Sequence, residues 1–114
     1  MALGIEIAVE HFRCHDVVRV QGRLDARAAL SLEEALDALR ASGCMQLIMD
    51  FAEVDYLSSA GMRVLLSTAK KLRMRGGKCL FCAFGEDVME MIRSAGFEQI
   101  FAMYLTESEA LAAI

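Results

Sequence analysis

Between Cys44 and Phe51 the chain is apolar except at Gln46 and Asp50. A strand with one wet face alternates apolar and polar residues, so an unbroken run like this one reads as a central strand covered on both faces. The cover is legible on either side of it. Ala28, Leu32, Leu36 and Leu39 recur at helical spacing before the run, and Met62, Leu65, Leu66, Ala69 and Leu72 after it. Asp25 is suited to cap the first of these helices, and Ser42-Gly43 to stop it. The second helix opens at Ser58 or Ser59 and ends near Arg75, before Gly76-Gly77.

The flanks extend the same alternation. Ile5, Ile7 and Val9 alternate with polar or small residues, and His15 to Gly22 repeats the pattern with Val18 and Val20 on one side. The two segments predict a strand pair with its turn over Arg13 to Asp16. Beyond Gly77, Cys79 to Phe84 reads as a buried strand, and Val88, Met91 and Ile92 as a short helix stopping at Gly96. Ile100 to Leu105 then reads as a strand, and Glu107 to Ala113 as a terminal helix capped by Thr106 or Ser108. Gly22, Gly43, Gly77 and Gly96 all fall at element ends. The expected order is β-β-α-β-α-β-α-β-α: an α/β fold with a mixed, mostly parallel sheet and an N-terminal antiparallel hairpin. At 114 residues the chain fits one domain, 1–114.

Charge narrows the function. Twelve Lys and Arg against sixteen Asp and Glu leave a net charge of −4, the wrong sign for a phosphate-backbone binder. The basic cluster Lys70, Lys71, Arg73, Arg75 and Lys78 falls at the end of the second helix, where cations complement the dipole. Glu6 and Glu10 break the N-terminus, which is no signal peptide, and no stretch of about 20 apolar residues could span a bilayer. A cytoplasmic protein with no nucleic-acid partner and no membrane insertion is expected.

The four cysteines do not form a metal framework. Cys79 and Cys82 make a C-x-x-C, but residues three apart on a strand point to opposite faces, and Cys14 and Cys44 stand alone. Reduced structural thiols and no metal are expected. Catalysis is not indicated either. With Ser59 as nucleophile, a G-x-S-x-G elbow would need glycine where Leu57 stands. The two imidazoles, His11 and His15, lie in or beside the first hairpin. Arg73-Met74-Arg75-Gly76-Gly77-Lys78 lacks both the spacing and the hydroxyl of a phosphate-binding loop.

Two segments carry a resemblance. Gly22-Arg23-Leu24-Asp25 is similar to the G-x-L-D that leads into the first helix of STAS domains, the anti-sigma factor antagonist family. Val54-Asp55-Tyr56-Leu57-Ser58-Ser59-Ala60-Gly61-Met62 resembles that family's signature loop, D-S-[ST]-G-[LM], which opens a helix. The element order matches over essentially the whole chain. The resemblance implies a STAS-like fold and a non-enzymatic antagonist without a cofactor. It implies as partner an anti-sigma factor that is also a serine kinase, a GHKL-type ATPase supplying ATP and Mg²⁺. It places the phosphorylated serine at Ser59. Ser58 stands where the family has Asp, and Ala60 where it has a second hydroxyl. Related members that serve as scaffold or transporter-associated domains use unphosphorylated variants of this loop, so a constitutive scaffold or transporter-associated module is the alternative. A third reading is a small-ligand domain using a pocket between the Asp25 and Ser59 loops.

The residues support such a site in their own right. A serine in the first turn of a helix lies among unpaired N–H groups at the positive end of the dipole, where a phosphate is stabilised. Phosphorylation there adds a charge of about −1.5 to −2 and turns a small neutral patch into a bulky dianion. Ser58 is expected to cap, Ser59 to be the exposed acceptor, and Ala60 and Gly61 to allow close approach. Asp25 is expected beside them as a cap or part of a partner surface. Arg63, one turn further, could meet solvent, a partner or a phosphate.

Overall fold

In a computed structural model that describes residues 4–114, the central run becomes part of a strand longer than its apolar core. β3 spans Gln46–Leu57 and pairs with β2, Asp16–Leu24, in parallel from Asp16↔Leu47 to Leu24↔Leu57. β1, Ile5–His11, runs antiparallel to β2, from Ile5↔Gly22 to His11↔Asp16. On the other side of β3 lie β4, Lys78–Cys82, and β5, Met103–Tyr104, both parallel, giving the order β1-β2-β3-β4-β5. The helices are α1, Ala26–Ala41; α2, Ser59–Met74; α3, Glu86–Ser94; and α4, Glu107–Ala112.

The period-2 alternation divides the strands between two faces. Val18, Val20, Leu24, Leu47, Met49, Phe51 and Phe81 point to the face covered by α1, α2 and α3 and form the main core. Val17, Ile48, Leu80 and Cys82 point to the opposite face and pack beneath Ala110 of α4. Cys79 belongs to the first cluster and Cys82 to the second, so the C-x-x-C is split across the sheet as the strand period requires.

Strand boundaries differ from the expectation in β2 to β5. β2 runs two residues past Gly22, to Leu24, so Gly22 lies inside the strand rather than at its end, and β3 starts at Gln46 rather than Cys44. β3 continues six residues past Phe51, through Glu53 and Asp55, because β2 supplies partners for that stretch as far as Leu57. β4 stops at Cys82, where Ala83 turns into the left-handed region at φ 64°. β5 shrinks from Ile100–Leu105 to two residues, since only Phe81 and Cys82 remain to pair with it. Phe101 instead sits in a turn, donating to Phe97 O, and stacks on Phe97 with ring centroids 5.3 Å apart. It also meets Phe81 at 5.1 Å, so an aromatic cluster does the anchoring that strand pairing was expected to do.

Gly22 ends the regular part of β2. Its φ is +112°, it adjoins the register shift between Gly22 and Arg23, and a Cβ there would lie 2.2 Å from the carbonyl oxygen of Gly4. No side chain fits without moving the backbone. Gly22→Ala is expected to destabilise the fold by at least about 2 kcal/mol, read as a lower urea midpoint at unchanged m.

Burial raises the thiols of Cys44 and Cys79 to about 12 and that of Cys82 to about 11. Unfolded, each ionises near an ordinary value of about 8.5. The unfolded chain therefore loses these protons first, and their contribution is complete below that value and lost as pH rises through 11 to 12. The urea midpoint is expected to fall above about pH 9, more shallowly in Cys79→Ala than in the wild type.

Candidate functional site

The two helices that follow β2 and β3 start side by side. Leu24 and Leu57 are register partners, and Ser58 N donates to Leu24 O at 2.9 Å, tying one strand end to the other. Each strand is followed by a capping residue with extended backbone. Asp25 Oδ1 accepts from Ala28 N at 2.8 Å, and Ser58 Oγ accepts from Gly61 N at 3.0 Å. Both carbonyls then begin their helices, Asp25 O accepting from Ala29 N and Ser58 O from Met62 N.

The two serines divide the work. Ser58 is half-buried and committed to the cap, whereas Ser59, the first helical residue, is exposed. Among the described residues, the Ser59 hydroxyl has no hydrogen-bond partner. The first turn of α2 carries no acidic side chain, and of its opening N–H groups only Gly61 N is taken up by the cap. The positive end of the helix therefore faces solvent at Ser59 without local compensation.

Ala60 is half-buried, and Arg63 is exposed one turn on. Gly61 is buried, which corrects the expectation that it opens the backbone to a partner. A Cβ at Gly61 would lie 2.9 Å from Leu24 Cγ and 2.9 Å from Leu57 Cδ1. Its smallness seats the first turn of α2 on those two leucines.

Between α1 and α2 runs a groove of about 310 Å³, walled by Ala29, Leu30 and Glu33 on one side and Ala60, Arg63 and Val64 on the other. Leu30 is 62% exposed. The sequence reading passed over it, although the signal was present: Leu30 falls off the stripe of Ala28, Leu32, Leu36 and Leu39, so its side chain cannot face the sheet. Arg23, whose guanidinium lies 3.9 Å from the Tyr56 ring centroid, adds a cation–π pair one residue before Leu24 and Leu57.

The groups a hydrolase would need are elsewhere. His11 Nδ1 is 2.6 Å from Asp16 Oδ1, and His15 stacks on Phe12. Both lie at the hairpin end of β2, nine residues or about 30 Å from the serine turn. Among the described residues no group of three or more His, Cys, Asp or Glu is placed to hold a metal ion, and no helix is long and apolar enough to cross a membrane.

The STAS domain family matches residues 6–110. BtrV of Bordetella bronchiseptica, named as an anti-sigma factor antagonist, is 35% identical over 94 residues, covering 82% of this chain and 81% of its own. The crystal structure of an anti-sigma factor antagonist from Mycobacterium paratuberculosis superposes with a TM-score of 0.87 at 31% identity, covering 96% of this chain and 93% of that one. The Bacillus protein SpoIIAA shares the fold at 20% identity. Its unphosphorylated form gives a TM-score of 0.80, covering 95% of each chain. Its phosphorylated form gives 0.73, covering 95% of this chain and 98% of its own.

The capping geometry gives a direct test. Ser58→Ala leaves Gly61 N without its acceptor and is expected to cost about 1 kcal/mol. Ser58→Asp keeps an acceptor at the same position and should stay within about 0.5 kcal/mol of the wild type in urea unfolding.

Proposed function

The chain belongs to the STAS domain family, and on that premise we propose that it is an anti-sigma factor antagonist working in a partner-switching circuit. Unphosphorylated, it binds an anti-sigma factor of the GHKL serine-kinase type and so frees a sigma factor. Phosphorylated on Ser59, it lets go. The partner surface comprises Ser58, Ser59, Ala60 and Gly61, flanked by Asp25 and Arg63, with Gly61 acting from beneath. The kinase supplies ATP and Mg²⁺, and the antagonist acts in the cytoplasm without a cofactor or catalytic residues of its own.

One observation carries this reading: Ser59 is exposed and its hydroxyl has no partner among the described residues, while Ser58 holds the cap. Phosphorylating Ser59 therefore need not break the bond that begins α2. The dianion gains the uncompensated first-turn N–H groups and lies on the same helix face as Arg63, four residues on. The backbone stays where it is, but a small neutral turn becomes bulky and charged. A partner seated against Ala60 and the α1–α2 groove is displaced by size and by charge. Ser58 supplies the cap that an Asp would supply, so this departure from the family pattern leaves the helix start intact.

The departure also removes a carboxylate beside the acceptor hydroxyl. This favours a second reading, a constitutive STAS scaffold whose serines are only structural. Incubation with the host's anti-sigma kinases and Mg-ATP, followed by intact mass and site mapping, separates the two. The antagonist gains one phosphoryl group, retained in Ser58→Ala and lost in Ser59→Ala, and Ser59→Asp weakens kinase binding at least about tenfold. A kinase that binds the chain tightly without transferring phosphate establishes the scaffold.

A further inference from the structure

The geometry points to α4 as a strap, a short helix latched by Arg19 over an apolar strip of the sheet and able to open as a unit while the rest of the fold stays closed. The strip is made by Val17, Ile48, Leu80 and Cys82, each no more than 6% exposed. What covers it is slight by comparison. α4 has six residues, and Ala110 is its one buried side chain; Ala113 and Ile114 beyond it are half-buried, and Leu111 is 46% exposed. A helix this short has little stability of its own and depends on its docking.

Docking rests on a few polar ties. Arg19 Nη1 donates to Glu107 Oε1 at 2.6 Å, and Lys78 Nζ donates to Ala113 O at 3.1 Å. Arg19 is not dedicated to the helix. The same Nη1 meets Asp50 Oδ2 at 2.7 Å, and Nε meets Glu10 Oε1 at 2.7 Å. If Glu107 leaves, the guanidinium keeps two carboxylates, so release strands no buried charge. The helix end is closed locally as well. Thr106 Oγ1 accepts from Glu109 N at 3.1 Å, and Glu109 Oε2 accepts from Leu105 N at 3.2 Å. These bonds travel with α4 when it moves.

Opening exposes an apolar strip and the Cys82 thiol on the face opposite α1 and α2, at the other end of β3 from the serine turn. The chain would then carry a second, normally hidden surface, independent of the Ser59 switch.

Static burial and the strap make opposite predictions. Cys82 is 0% exposed and Cys79, on the other face, 9%. Iodoacetamide labelling of the native wild-type protein, resolved by site and normalised to the unfolded chain, is the test. The strap predicts that low urea accelerates Cys79 far more than Cys82, because local opening exposes little surface. Glu107→Gln should speed amide exchange at Ala110 N–H about fivefold and leave the β3 amides unchanged. Both thiols responding together to urea, or Ala110 exchange unmoved by Glu107→Gln, overturns the proposal. If the variant does not fold, amide exchange in the wild type decides. Ala110 N–H should exchange through a lower-energy opening than the amides of β3, and equal protection rules the strap out.

Discussion

The parallel register that sets Leu24 beside Leu57 is the constraint on which the site depends. It places two strand ends at one level, so that Ser58 N reaches Leu24 O and two helices begin next to each other. The same two leucines form the floor on which the first turn of α2 rests, and a Cβ at Gly61 would press into both of them. A slip of one residue in this ladder would reverse the faces of Leu24 and Leu57 and remove that floor. The serine turn is thus held by main-core packing from below and by backbone hydrogen bonds from the side.

In the switch proposed for Ser59, that rigidity lets a small chemical change act outward. Ser58 closes the cap, the first turn carries no acid to neutralise the helix end, and Ser59 presents its hydroxyl to solvent. On that proposal a charge added there meets the first-turn N–H groups and is presented at the surface. The opposite face of the sheet is organised differently. There a single guanidinium joins β1, β3 and α4 beside a smaller apolar cluster. One face of the molecule is a packed core and the other a lightly covered sheet.

The site was more legible in the sequence than the limits of the strands. Asp25 and Ser58 were readable as caps because a cap bond spans only three residues and needs a side-chain oxygen just before an apolar-periodic segment. Gly61 was read as part of the loop pattern, but its reason was missed, since Leu24 is 37 positions away in the chain and becomes its neighbour only through the β2–β3 ladder. The second half of β3 was missed for a related reason: Glu53 and Asp55 break the apolar run, and pairing with β2 keeps that stretch extended. β5 erred in the other direction, because an apolar segment with good strand propensity found only Phe81 and Cys82 to pair with, while its Phe101 was drawn into the aromatic core.

The sequence by itself determined the element order, the helix starts and the faces that must be buried, because each depends on residues within one or two turns of one another. It also determined that Cys79 and Cys82 face opposite ways, which follows from the strand period alone. Only the tertiary structure decided how far each strand runs, why Gly22 and Gly61 must be glycines, and that Arg19 gathers Glu10, Asp50 and Glu107. Those outcomes depend on partners 9, 31 and 88 residues away in the case of Arg19. A pairing over such separations leaves no periodicity behind in the chain, and becomes visible only when the sheet has brought its ends together.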